Sequence, residues 1–277
     1  MMIYFLLILL GHFISDFVLQ SNKMIDNRSH EKSKIRHTTL IKHVGIHLIV
    51  YNVLLLVWIL VSESLTIQLM GQVLFATILI LLLHYMIDWL KVTVNTKFSR
   101  QRVKVFSFII DQLLHIIVIT VVLHSVNLLN IDSFIGFTIS EKIIAVIILI
   151  LINTLVAGRF LSIVLEKIAP PNSSEHVVEE EVDEDPTRKI VKKSRTYYPD
   201  SDYQLGRYIG MLERILISMF VVANSVMGVT VLLAIKSLTR FKQFEDRRFA
   251  EYYLIGTLIS IIIAIAIGYV ARIIIMS

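Results

Sequence analysis

The chain has 277 residues, 56% of them hydrophobic, and its mean hydropathy is +0.74. Ordinary soluble domains are roughly 45–50% apolar, so this composition excludes one of them. The formal net charge of +5 gathers in basic loops suited to anionic lipid rather than nucleic acid, and the absence of cysteine leaves only nitrogen and oxygen donors for any metal.

Only 4 Pro and 10 Gly interrupt long runs rich in Leu and Ile, which favours helices over the short alternating strands of a barrel. The expected fold is all-α, a polytopic transmembrane helical bundle of about seven hydrophobic segments. The first, residues 2–19, lacks the basic start and cleavage site of a signal peptide and carries His12 and Asp16, so it reads as a mature helix. Residues 44–61, 67–90, 105–126 and 143–168 follow, each near the roughly 20 apolar residues that a spanning helix needs. Residues 170–204 hold the acidic run EHVVEEEVDED and the basic run RKIVKKSR, and read as a charged cytoplasmic linker. The last two segments are 208–235 and 252–275. Four units result: a membrane domain of four helices over 1–126, a fifth helix within 127–169, the linker over 170–204, and C-terminal membrane helices over 205–277.

Short cytoplasmic loops carry the excess of Lys and Arg. The loop after the first segment has Lys23, Arg28, Lys32, Lys34, Arg36 and Lys42, and the loop after the third has Lys97, Arg100, Arg102 and Lys104. The turn over 62–66 carries Glu63 and the stretch 127–140 carries Asp132, so these belong outside, and with them the N-terminus. A single crossing by 208–235 would put Lys236, Arg240, Lys242, Arg247 and Arg248 outside, against the charge rule. A break at Asn224–Ser225, with Gly228, turns that segment into a re-entrant hairpin and restores the rule.

The chemistry sits in the first half. Segments one to four contain GHFISDFVLQ, HVGIH, HYMIDWLK and FIIDQLLH. Each carries one i, i+4 pair: His12/Asp16, His43/His47, His84/Asp88 and Asp111/His115. Four-residue spacing puts both members of a pair on one helix face. On the topology above all four pairs occupy the cytoplasmic leaflet, within roughly 15 Å of its boundary, and point into one cavity.

For any single pair the plain reading is a cap, an interfacial anchor or an interhelical hydrogen bond. Four pairs of ionisable groups at one depth weigh against it, because such groups are costly in a membrane and usually face a bundle interior. His12, Asp16, His43, His47, His84, Asp88, Asp111 and His115 together suit one or two divalent ions, with Zn, Mn or Fe fitting mixed nitrogen and oxygen donors. Asp16, Asp88 and Asp111 are the expected catalytic carboxylates. Lys91, on the face of His84 and Asp88, would neutralise a phosphate or, on the plain reading, snorkel to the headgroups. Arg159, Glu166, Glu213 and Arg214, in or beside later apolar helices, read as structural ion pairs.

At GHFISDFVLQ, the histidine-bearing second helix, HYMIDWLK and DQLLH, residues 2–123 resemble the bacterial membrane-protein family called domain of unknown function 3307. The stretches LGRYIGMLERILI, AIKSLTRF and DRRFAEYYLIGTLIS are similar to the C-terminal region of many of its members. The resemblance implies a bacterial plasma-membrane location and no particular activity. A looser similarity to predicted membrane-bound metal-dependent hydrolases, by analogy only, favours a hydrolase whose substrate is an anionic amphiphile among the membrane lipids. The alternatives are a divalent-metal transporter, since paired HxxxD motifs on two helices resemble cation diffusion facilitators, and a non-catalytic membrane scaffold. A di-iron oxygenase is disfavoured, since HVGIH is a single histidine box and no Glu-x-x-His pair lies in the apolar helices.

Overall fold

A helix that is apolar on every side belongs in a protein core or in lipid, and α1 (Met2–Val18) is enclosed by protein in the computed structural model of the chain: every residue from Met2 to Phe13 is buried. Around it stand α3 (Ser33–Ser62), α5 (Gln101–Ser125) and α6 (Ile139–Leu165), while α4 (Ile67–Lys97) packs between α3 and α5. The short α2 (Asn22–Arg28) lies against α3. A second group, α7 (Asp200–Val222), α8 (Val226–Thr239) and α9 (Arg247–Met276), packs mainly through α7 on α9 and reaches the first group through α6. The structure describes residues 2–28, 30, 32–62, 66–98, 100–130, 136–168, 200–245 and 247–277, with the backbone alone at 22, 200–205 and 243.

Five helices, α3, α4, α5, α6 and α9, are long and apolar enough to cross a membrane. Their outward faces carry a belt of exposed aliphatic residues, among them Ile49, Leu60, Leu82, Val121 and Ile262, a surface that suits lipid and not water. Together these features are those of a multi-pass membrane protein. Of the seven expected segments, α1 and α8 are shorter apolar helices, so the count of full-length spans is five among the described residues.

Local chemistry explains the helix ends. Thr66 caps α4 by accepting from the Leu69 amide, and Thr138 with Glu141 closes a capping box at the start of α6. The stretch 208–235 does not form one helix. Asn224 has a φ of +57°, Ser225 caps α8 by accepting from the Gly228 amide, and α8 turns back on α7. Gly228 is needed there, since a Cβ would meet the Phe220 ring at 2.5 Å. The helix of α7 begins at Asp200, so residues 200–204, expected within the linker, open a helix instead. Residues 170–199 of that linker, Glu63 and Asp132 lie outside the described residues.

Two helices widen to π geometry for five residues, α1 at Ile14–Val18 and α6 at Ile152–Val156. A π turn frees backbone carbonyls and often marks a special site. In α6 the freed groups meet Arg214, which was expected to pair with a carboxylate. Its guanidinium instead donates to the carbonyls of Asn153 at 2.6 Å and Thr154 at 3.1 Å and to Ser260 Oγ at 3.4 Å. Asn153 answers by donating to Arg214 O and Ser218 Oγ. Glu213 pairs with Lys236 and Glu166 with Lys104, so these two acids do form ion pairs, with lysines.

Candidate metal centre

The other π stretch carries Asp16, and it brings that side chain into the space where α1, α3, α4 and α5 meet. Asp16 Oδ1 lies 2.9 Å from His43 Nε2 and 3.0 Å from His47 Nε2, and the two imidazole nitrogens are 3.1 Å apart. These three atoms form a nearly equilateral triangle. With donor–ion distances of about 2.1 Å, edges of this length place neighbouring donors about 90° apart as seen from one ion. Two histidines four residues apart on one helix, with a carboxylate from another, are a donor set used by both zinc and non-haem iron.

Beside the triangle lies a second group, His84, Asp88 and His115, whose ligand atoms are all within 4.8 Å of one another. His84 Nε2 is 3.6 Å from Asp88 Oδ2 and 4.0 Å from Asp16 Oδ1, so it stands between the two groups. The proton on His115 is fixed by its neighbour: Nδ1 lies 2.8 Å from the Asp111 carbonyl, which can only accept, so Nδ1 donates and Nε2 keeps its lone pair. That Nε2, His84 Nε2 and Asp88 Oδ2 are buried with no hydrogen-bond partner. Buried polar groups are normally satisfied, and three orphans facing one another have the chemistry of an incomplete coordination shell.

All eight residues singled out by spacing gather at this junction, but not as four like arms. The histidine rings form one cluster of tilted neighbours, with centroids 4.1 Å apart for His47/His84 and for His84/His115, and 4.9 Å for His12/His115. His12 has neither ring nitrogen partnered and belongs to neither donor group; its Nε2 is 3.7 Å from Asp16 Oδ2. Asp111 also lies outside both groups. Its Oδ2 accepts from Lys91 Nζ at 2.6 Å and from Gln112 Nε2 at 3.0 Å.

Four further residues complete the surroundings. Tyr51, fully buried, places its hydroxyl 3.2 Å from His47 Nδ1 and orients that ring; it is one further turn along the face of His43 and His47, so the four-residue spacing extended once more would have found it. Gln112 neighbours Asp111 in sequence. Arg28 has no such signal, being one of several cations in a basic stretch, yet α2 delivers its Nη2 to 3.4 Å from Asp88 Oδ2. The Gln20 amide, oriented with its oxygen toward the guanidinium, holds it with contacts of 2.6 and 2.9 Å.

Residues 4–144 match the family described as protein of unknown function, DUF3307. The chain belongs to that family. The matched range includes every residue of the cluster, from His12 to His115. No curated protein and no solved structure matches the chain.

Proposed function

We propose that the protein is a membrane-embedded, metal-dependent hydrolase acting on an amphiphile with an anionic head, with its basic loops and its site toward the cytoplasm and α7–α8 re-entering the membrane as a hairpin. The triangle of Asp16, His43 and His47 is the observation that carries this reading. An imidazole nitrogen has one lone pair, so His84 serves one ion only. His84 is within reach of both donor groups, and giving it to the second provides three donors to each ion: Asp16, His43 and His47 for the first and His84, Asp88 and His115 for the second.

Bound ions would supply an activated water near neutral pH and a clamp for an anionic oxygen. The chain's own groups do the rest. Asp111 Oδ1, buried and unpartnered, accepts the proton of the attacking water, and Lys91 neutralises charge on the substrate head while holding Asp111 in place. Beyond the cluster the bundle is filled by Leu6, Leu7, Ile80, Ile119 and Leu123. A cluster bounded by this apolar packing, with Asp16, Arg28 and Lys91 as its partly exposed side chains, suits an enzyme better than a divalent-metal passage, which needs access from both sides.

The test is elemental analysis of the purified protein, followed by turnover of polar lipids with and without a chelator. A stoichiometric transition metal and chelator-sensitive release of product are expected. Metal flux in proteoliposomes that needs His84 and Asp88, with no turnover of any polar lipid, would reject the hydrolase in favour of a transporter.

A further inference from the structure

Resting on the metal-centre reading, we infer that Arg28 and Lys91 form a two-cation clamp for a phosphoryl group at the mouth of the site. The five histidines and Asp88 are buried, so a ligand arriving from outside meets the rim first. The side chains there are Lys91, 24% exposed, Arg28, 12%, and Asp16, 10%. Lys91 is anchored on Asp111, and Arg28 is held by the Gln20 amide oxygen with its Nη2 3.4 Å from Asp88 Oδ2. An ammonium has three donors and a guanidinium five, so each keeps spare N–H groups after that contact.

Charge explains why an anion is the partner. In their ordinary ionisation states Asp16, Asp88 and Asp111 bring three negative charges against the two positive charges of Arg28 and Lys91, a balance of −1. One divalent ion raises the balance to +1 and two raise it to +3. The loaded site therefore has surplus positive charge in a low-dielectric setting, and it lacks an anion. Arg28 supplies the guanidinium N–H groups that Gln20 leaves free, and Lys91 supplies a point charge. Asp88 and Lys91 are three residues apart on α4, which puts Lys91 on the side of the second donor group, where Arg28 also arrives. A carboxylate head would use one of these cations, whereas a phosphomonoester, with its higher charge and three free oxygens, uses both.

The source of the phosphoryl group is separable by experiment. Metal-loaded protein is titrated with inorganic phosphate by calorimetry, and binding of phosphatidic acid is read by native mass spectrometry from phosphatidylcholine nanodiscs doped with phosphatidic acid or with diacylglycerol. Selective binding of phosphatidic acid is expected; equal binding of inorganic phosphate assigns the clamp to free phosphate. Arg28→Gln and Lys91→Met each weaken binding about tenfold, the range for one charged hydrogen-bonding partner. Arg28→Lys recovers part of the loss, and bound metal is unchanged in all three, which also reports that they fold. Metal-loaded wild type that binds neither probe, or an Arg28→Gln/Lys91→Met double variant that binds as wild type does, overturns the clamp alone. Wild-type protein that holds no metal overturns the metal centre and the clamp together.

Discussion

The carboxylate of Asp16 lies closer to His43, on another helix, than to His12, four residues earlier on its own: 2.9 Å against 3.7 Å. Of the pairs visible in the sequence, His43/His47 and His84/Asp88 stay together, whereas His12/Asp16 and Asp111/His115 are split and regrouped across helices. Removal of Asp16 strips an oxygen from the triangle without disturbing the His84, Asp88 and His115 group. Asp16→Ala is expected to lower bound metal by about one equivalent or to weaken it at least tenfold, the scale of losses even for outer partners of a metal ligand. Asp88→Ala affects the other group. Elemental analysis of both variants beside wild type decides the matter, and unchanged metal in both would sink the assignment.

Tyr51→Phe keeps the ring and deletes only the hydroxyl that faces His47 Nδ1. The ring nitrogen is then buried without a partner, which costs about 1–3 kcal/mol. A lower thermal midpoint and a metal affinity reduced about 10–100-fold are expected. Equal affinity by competition with a chromophoric chelator contradicts an orienting role.

Gly11 reports on the same contact from the other side. A Cβ there would stand 2.7 Å from Tyr51 Cδ1 and 3.3 Å from Leu54 Cδ1. Gly11→Ala therefore displaces the ring that orients His47, at a cost of about 1–3 kcal/mol for overpacking. Gly268→Ala is the control. Its Cβ meets the backbone of Ser218 at 2.9 Å and separates α9 from α7, far along the chain from the site. Both variants are expected to lose thermal stability, but only Gly11→Ala to lose metal affinity.

Arg214→Met removes the guanidinium donor from the carbonyls of Asn153 and Thr154, the second of which keeps the Ala157 amide. The expected loss is about 1–3 kcal/mol for each buried group left unsatisfied, read by denaturation in detergent, with metal content unchanged. Arg214→Lys recovers little, because one ammonium cannot span the positions that the planar fork reaches.

Since the chain has no cysteine, single cysteines report topology without background. A cysteine at Arg100 should resist an impermeant reagent added to intact cells, and one at Ser140 should react. The opposite result inverts the proposed orientation.

What spacing could tell about the site was which residues share a helix face, and the eight residues at His12, Asp16, His43, His47, His84, Asp88, Asp111 and His115 do meet. Spacing carries no information on rotation of one helix against another. That is why Asp111, one of an apparently equivalent pair, turns to Lys91 and Gln112 while His115 turns inward. Arg28 was hidden for a different reason: its basic surroundings spoke for loop charge and concealed the short helix α2. Within the fold, the break at Asn224 was legible because Asn tolerates positive φ and Gly228 follows. The π turns were not, since nothing in ISDFV or INTLV distinguishes them from ordinary helix.

The enclosure of α1 has a bearing on how the protein is assembled. This helix precedes all its neighbours in the chain, and the last of them, α6, begins at Ile139. On the proposed topology α1 would enter lipid first, its apolar side chains content there but Asp16 without its partners until His43, His47 and His84 arrive on later helices. On that topology the cluster would be created when inserted helices associate and not when they enter the bilayer. Mutations on the faces that α3, α5 and α6 present to α1 would then act as assembly defects, leaving a chain that is fully inserted yet has nowhere to hold a metal.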